Sequence, residues 1–203
     1  MGVRDFQLHT RHFIRAIQRC NHGCAERILR KWPAIIHDRD SGEETALHWL
    51  AVEDELEGVK LLIAAGADVN TVDDFPHGSV LMSTSTLGLL DMTRLLIEHG
   101  ADIHYQTPSF LDSPMHAAAR HSPAPELIDL LRSHGADLHR RNLLGQTPLH
   151  DAAGLANYEA VKRLVACGAD VNARDESGQR PADDLPQDAP EEIRKLLVGD
   201  GKV

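Results

Sequence analysis

Residues 145–172 read GQTPLHDAAGLANYEAVKRLVACGADVN, a stretch that contains the start and end signals of two short helices. Thr147 can cap a helix with its hydroxyl, and Pro148 suits the first helical turn, where a missing N–H costs nothing. The apolar residues before Gly168 recur at helical spacing. Gly168 stands where that helix must end in a left-handed conformation, which costs a residue with a Cβ about 1 kcal/mol. The stretch therefore predicts a helix, a turn, an amphipathic helix and a loop.

The same pattern recurs along the chain. A Gly-Ala-Asp tripeptide, each time after a similar apolar segment, occupies residues 66–68, 100–102, 135–137 and 168–170. The copies are separated by 34, 35 and 33 residues. A helix-start signal lies 21 or 22 residues before each of these glycines. Because a fixed period of this length is typical of stacked repeats, the sequence predicts a repeat protein.

The sequence resembles the ankyrin repeat family, whose repeat starts a helix with Thr-Pro-Leu-His and continues to a Gly-Ala-Asp-Val-Asn loop. The resemblance covers about residues 10–199, although Ala46 replaces the proline in one copy and Ser113 the threonine in another. The second copy has Ser-Val-Leu-Met at residues 79–82, which keeps a capping hydroxyl but lacks the histidine. The resemblance implies an all-α fold, an ankyrin repeat solenoid of stacked helix-turn-helix units joined by short hairpin-like loops.

We expect a single ankyrin repeat domain over residues 1–203. The full repeats are predicted at residues 41–70, 71–104, 105–139 and 140–172. An N-terminal capping unit at about 10–40, a C-terminal capping unit at 173–199 and a tail at 200–203 complete the chain. Both end units depart from the repeat pattern and carry a polar face, as the solubility of a stack requires.

Composition narrows the function classes. The chain is 42% hydrophobic and 26% charged, with only 4 Phe, 2 Tyr and 2 Trp, so the core is expected to be aliphatic. The net charge of −10 is uneven: residues 1–40 hold eight basic and four acidic residues (+4), and residues 41–203 hold thirteen and twenty-seven (−14). An acidic body repels phosphate backbones, so no nucleic-acid ligand is expected.

The sequence also indicates a compartment. The three cysteines, Cys20, Cys24 and Cys167, are too few and odd in number for a disulfide framework, which suits a reducing environment. The N-terminus lacks the apolar core of a secretory signal, and no window approaches the ~20 apolar residues that a bilayer requires. We expect a cytoplasmic protein that does not associate with membranes and is monomeric on its own.

Thirteen histidines suggest metal binding or catalysis. Eight of them recur at fixed positions of the repeat and are interpreted as structural. These are His37, His48, His99, His104, His116, His134, His139 and His150.

The best metal candidate is the run CNHGC at residues 20–24, with His12 nearby, because thiols and imidazoles at short spacing are typical zinc ligands. The repeat register instead places Cys20 at the turn between two helices and Cys24 against a neighbouring helix. We therefore expect no metal and no cofactor. The alternative from another class is a metal-dependent regulator or enzyme that uses this His/Cys-rich region.

Asp112, Ser113 and His116 have the residue types of a hydrolase triad. A triad is recognised by its geometry, however, and Ser113 is better explained as a helix cap. No catalytic residue is assigned, and the chain is expected not to be an enzyme.

The resemblance also implies where a partner binds: at the loop tips before each helix start and at the end of each first helix. Carried onto this sequence, these positions are Phe75, Pro76, Leu87, Phe110, Leu111, Arg120, His121, Leu143, Leu144 and Leu155. Three successive tips are apolar, and a solvated loop has little reason to be apolar. The alternative is that the tips fold inward and brace neighbouring loops.

The sequence thus predicts a protein–protein interaction module that acts as an adaptor or an inhibitor. Neutralisation of a toxin or an enzyme, as by an immunity protein, is the narrower alternative. Acidic residues near the tips, including Glu53, Asp112 and Glu176, favour a partner with basic residues around its contact surface.

Overall fold

The computed structural model describes residues 7–41, 43–73 and 78–198, and the side chain of His121 is outside that description. The described residues form helices, turns and two isolated β-bridges, Arg39 with Thr45 and Val72 with Ser79. The predicted all-helical fold is confirmed. The chain divides into two compact units, one formed by Met1–Thr84 and Asp91–Asp102, the other by Ser85–Leu90 and Ile103–Val203.

Eleven short α-helices follow one another along the described residues. They are α1 (Leu8–Gln18), α2 (His22–Lys31), α3 (Ala46–Val52), α4 (Leu56–Ala64), α5 (Val80–Leu87), α6 (Leu90–Glu98), α7 (Pro114–His121), α8 (Glu126–Ser133), α9 (Pro148–Gly154), α10 (Tyr158–Ala166) and α11 (Glu191–Val198). A 3₁₀ helix, Pro33–His37, follows α2. One helix pair falls within each of the four residue ranges predicted as full repeats.

Side-chain caps start the first helix of these pairs. At α7 the Ser113 hydroxyl accepts the N–H of His116, while the Nδ1 atom of His116 accepts the N–H of Ser113 at 3.2 Å. At α5, where Met82 replaces the histidine, the Ser79 hydroxyl still accepts the N–H of Met82 at 3.3 Å. The degenerate second copy therefore keeps its helix start through the serine alone.

A backbone hydrogen bond closes the base of each loop that precedes a helix start. The N–H donors and C=O acceptors are Asp40 and Glu44, Asp73 and Gly78, Thr107 and Asp112, Asn142 and Gln146, and Asp175 and Gln179. The second and third loops are one residue longer than the others. The third copy has one more residue between Ser113 and Gly135, so the two insertions explain its separation of 35 residues.

Each unit has an aliphatic core, as composition predicts. In the first unit the fully buried side chains include Phe13, Ile14, Ile17, Leu47, Leu50 and Leu62. In the second they include Met115, Leu127, Ile128, Leu131, Leu149 and Leu164. Burial of one such side chain stabilises the fold by about 1.5–3 kcal/mol. Gly58 lets α4 approach α1 and α3, since a Cβ there would lie 2.8 Å from Leu50 Cδ1.

Candidate functional site

The loop tips of the second unit lie side by side and are joined by backbone hydrogen bonds. The N–H of Leu143 donates to the carbonyl of Phe110 at 2.7 Å, and the N–H of Glu176 donates to the carbonyl of Leu144 at 3.0 Å. Within the middle loop, the Asn142 Oδ1 atom accepts the N–H of Leu144 at 3.0 Å. Because backbone groups make these bonds, the tip positions are fixed without help from the tip side chains.

The tip side chains themselves are exposed to solvent. Phe110, Leu143 and Leu144 are 55%, 57% and 58% exposed, and Leu111 is 40% exposed. These four residues are called the apolar row below. Leu87 and Leu155, each at the end of a first helix, are also exposed. The alternative in which these tips fold inward is therefore not what the described residues show.

The structure does not describe all of the residues that are predicted to contact a partner. Phe75 and Pro76 lie outside the described residues, as does the side chain of His121. Their part in binding stays a prediction.

A concavity of about 260 Å³ opens beside the apolar row. Its lining residues are Phe110, Asp112, Arg120, Asn142, Leu143, Leu144 and Gln146. The rim is apolar and the floor is polar. Binding pockets commonly combine an apolar lining with a few polar groups that orient the bound group, and this pocket has that character.

Arg120, predicted as an exposed contact residue, forms most of the polar floor. Its guanidinium donates two hydrogen bonds to Asp112, at 2.5 Å and 2.8 Å, and the Nε atom lies 2.9 Å from Asp151 Oδ2. Asn142 donates a further hydrogen bond to Asp112 at 3.3 Å. The arginine side chain is only 26% exposed. These contacts tie Arg120 to α9 and to the loop before α7, and they were not predicted from the sequence.

Asp112 and Arg120 are the charged residues in the pocket lining, and Asp151 lies against Arg120 outside that lining. Asp151 is buried, and burial raises the pKa of its carboxyl to about 7, although the nearby Arg120 guanidinium lowers it. Burial also raises the pKa of Asp184, whose charge in turn disfavours ionisation of Asp151. The Asp184 Oδ2 atom receives no hydrogen bond from the described residues, whereas the Asp151 Oδ2 atom has the Arg120 Nε atom at 2.9 Å. Arg120 is thus paired with one carboxyl of the pocket lining, Asp112, and with one carboxyl outside it, Asp151, whose burial favours the neutral form.

The sequence held one signal of this network. Asp151 occupies the position after Thr-Pro-Leu-His where the third repeat has Ala117, a slot that the fold buries. A carboxyl in a buried slot needs a cation, and Arg120 in the neighbouring repeat is the available one.

The ligand atoms of Asp112, His116 and Asp151 lie within 4.8 Å of one another, a grouping that could in principle hold a metal ion. The chemistry does not fit. Both oxygens of Asp112 accept hydrogen bonds from Arg120. His116 accepts the Ser113 N–H at Nδ1, and its Nε2 lies 3.1 Å from the Gln146 carbonyl, so Nε2 carries the proton. Neither imidazole nitrogen has a lone pair free for a metal.

The run CNHGC covers the turn between α1 and α2 and the first residues of α2: Cys20 lies in the turn, as the repeat register predicts, and His22, Gly23 and Cys24 begin the helix. Cys20 is exposed and has a left-handed backbone, with φ of 53°. The Asn21 side chain caps α2 by accepting the N–H of Cys24 at 3.1 Å. These contacts explain the residues as a helix connection.

Several of the recurrent histidines make structural hydrogen bonds. The Nε2 atoms of His116 and His150 each lie 3.1 Å from a carbonyl of the next loop. The Nδ1 atoms of His99 and His134 lie 2.8 Å and 2.9 Å from the carbonyls of Leu95 and Leu130, four residues earlier. These contacts confirm a structural role for the four.

None of the helices in the described ranges is both long enough and apolar enough to cross a lipid bilayer.

Comparison with known proteins agrees with the repeat pattern. A family model described as ankyrin repeat matches residues 43–74, and one described as ankyrin repeats in three copies matches residues 80–175. Human cyclin-dependent kinase 4 inhibitor B is 33% identical over 108 residues, which is 53% of this chain and 76% of that protein.

Other similar proteins are much longer. Ankyrin repeat protein nuc-2 of Neurospora crassa is 32% identical over 139 residues, 68% of this chain but only 13% of that protein. Human ankyrin repeat and SOCS box protein 11 is 38% identical over 93 residues, 45% of this chain and 28% of that protein. The chain therefore spans a small part of these two relatives.

The matched repeats, the all-helical fold and the coverage of a relative over most of its length lead to one conclusion: the chain belongs to the ankyrin repeat family, a generally non-enzymatic fold whose repeats bind other proteins.

Proposed function

We propose that the chain binds a partner protein on the apolar row and the adjoining pocket, and that it acts as an adaptor or an inhibitor. The observation that carries this proposal is the exposure of Phe110, Leu143 and Leu144 on loop tips that backbone hydrogen bonds hold in place. No catalytic step is assigned to the chain.

The energetics of binding favour such a row. A partner that covers it removes the exposed part of an aromatic and three leucine side chains from water, roughly half of the 1.5–3 kcal/mol that full burial of each contributes. The tips are already fixed, so little conformational entropy is lost on binding. Aromatic side chains in particular serve as binding hot spots, which gives Phe110 the central place.

The charge around the pocket indicates the chemistry of the partner. Asp112 lines the pocket beside Arg120, and Glu176 follows Leu144 in the ladder of tips. A partner that inserts an apolar side chain between the tips and places a Lys or Arg toward these carboxyls fits both properties. Basic residues around its contact surface also raise the association rate with a chain of net charge −10.

One version of this proposal is that the bound chain masks a surface of its target. Human cyclin-dependent kinase 4 inhibitor B, which resembles 53% of the chain, carries inhibition in its name and supports the inhibitor version. Neutralisation of a toxin or an enzyme is a narrower version of the same mode. The rival class, a metal-dependent regulator or enzyme, gains no support from Cys20, His22 and Cys24, which form a helix connection and the start of α2.

The remaining sequence predictions belong to the same proposal. Leu87 and Leu155 extend the contact surface, and Phe75, Pro76 and His121 are further contact residues. The protein acts as a monomer in the cytoplasm; its three free cysteines support a reducing compartment.

A photo-crosslinking experiment tests the location of binding. A photoreactive phenylalanine analogue replaces Leu144, and a control protein carries it in place of Leu8, which has similar exposure but lies on α1. Irradiation in an extract of cells that express the chain is expected to join one partner to position 144 and not to position 8. The same partner joined to position 8 and absent from position 144 would place the interface elsewhere.

A further inference from the structure

A groove between α1 and α2 in the first unit carries positive charge. It encloses about 420 Å³ and is lined by His12, Arg15, Ala16, Arg19, Asn21, Cys24 and Ile28. His12 and Arg15 lie on α1, Arg19 is the residue directly after its end, and all three are exposed at helical spacing. The groove therefore has a cationic wall on α1 and a mostly apolar wall on α2.

This charge does not serve the packing of α1. The helix buries Phe13, Ile14 and Ile17 on its other side. Arg15 and Arg19 take part in none of the ion pairs found among the described residues. Like charges one turn apart destabilise a helix by about 0.2–0.5 kcal/mol. The place of Arg15 and Arg19 at the C-terminal end of α1, where cations interact favourably with the helix dipole, offsets a cost of this size.

The surrounding charge strengthens the field of the groove. Between residues 7 and 37 the basic residues are Arg11, Arg15, Arg19, Arg27, Arg30 and Lys31, and Glu26 is the one acidic residue. Residues 41–203, in contrast, carry a net charge of −14. Because a long polyanion is repelled by so acidic a chain, a short acidic segment fits the groove better than nucleic acid does.

The spacing of the two arginines defines the segment. Four residues of α-helix place Arg15 and Arg19 about 6 Å apart along the helix axis. Alternate residues of an extended chain lie about 6.6 Å apart and point to the same side. We propose that the groove binds an acidic segment of a partner protein in extended form, with carboxylates at alternate positions paired to Arg15 and Arg19. This site is independent of the apolar row.

Fluorescence anisotropy with a labelled peptide of alternating Glu and Ser tests the proposal, at about 50 mM and about 300 mM salt. The test variant is Arg15→Glu with Arg19→Glu. The matched control is Arg27→Glu with Arg30→Glu, which changes the net charge equally but lies outside the groove lining. Circular dichroism confirms that both variants are folded.

The intact chain is expected to bind the peptide in a salt-dependent manner and to ignore an alternating Gln and Ser peptide. The groove variant should lose at least about tenfold in affinity, and the control less than about threefold. Equal losses in both variants would show a general field effect and overturn the proposal. Absence of binding to the intact chain, or tighter binding of duplex DNA at equal probe charge, would overturn it as well.

Discussion

Replacing Arg120 with Met is expected to lower the free energy of unfolding by about 3 kcal/mol, because the change leaves buried carboxyls without their cation. Asp112 loses both of its short hydrogen bonds, and Asp151 loses the Nε atom at 2.9 Å. Part of the cost is relieved by protonation of Asp151, whose pKa burial already raises to about 7. Urea unfolding followed by circular dichroism at neutral pH measures the loss.

The matched control replaces all three charged side chains of the network with uncharged ones. Removing a buried network entirely is often nearly neutral for stability, whereas removing one partner is not. The triple variant Arg120→Met, Asp112→Asn and Asp151→Asn should therefore recover most of the lost stability. A single Arg120→Met variant within about 0.5 kcal/mol of the intact chain would show that the network does not hold α7, α9 and the loop before α7 together.

Acidification is expected to destabilise the fold by about 2–4 kcal/mol between pH 6.5 and pH 4. Burial lowers the pKa of both His48 and His116 from 6.5 to about 4. Over this pH range the unfolded chain therefore binds protons that the folded chain does not bind. Their stability contribution is fully present above about pH 6.5 and is lost as the pH falls toward 4. Urea unfolding across this pH range measures the change.

Asp151 opposes this trend. Its pKa is raised to about 7, so the folded chain keeps a proton that the unfolded chain releases above pH 3.8. The stability from this proton is present at low pH and is lost as the pH rises through 7. The proton on Asp151 offsets the effect of about one of the two histidines. The expected loss of stability is therefore smaller than the sum of the losses from His48 and His116.

The second repeat supplies the control for this pH dependence. It places Met82 where His48 stands, so His48→Met is compatible with the fold. The variant loses the contact between His48 Nδ1 and the Thr45 hydroxyl, 3.1 Å apart, at a cost of about 1 kcal/mol at neutral pH. It should then lose less stability than the intact chain on acidification. An unchanged pH dependence would assign the acid sensitivity to other groups.

Much of the fold could be predicted because each repeat signals its own helix ends. Ser79, Ser113 and Thr147 mark helix starts, and the Gly-Ala-Asp copies mark helix ends, all through local chemistry. The same register places Phe110, Leu143 and Leu144 on loop tips, but it leaves open whether these side chains are exposed or fold inward. Local signals of this kind do not depend on which repeat packs against which.

The pocket floor could not be predicted in the same way. The pairing of Arg120 with Asp151 joins residues 31 positions apart, and it depends on the packing of α7 against α9. The left-handed backbone conformation of Leu111 was not predicted from the sequence either. Leu111 has φ of 57° at the position where the next two loops have Gly145 and Gly178. A side chain costs about 1 kcal/mol in that conformation, so the loop accepts strain and keeps an apolar tip.

The most direct test of the central claim is calorimetric titration of the crosslinked partner, once purified, against two double variants. Phe110→Ser with Leu143→Ser removes two members of the apolar row, and Leu8→Ser with Val198→Ser removes equally exposed apolar side chains elsewhere. Binding through the row predicts a loss of at least about 2 kcal/mol, roughly thirtyfold in Kd, for the first variant, and less than threefold for the second. Unchanged affinity of the first variant, with its helical circular dichroism intact, would contradict the account.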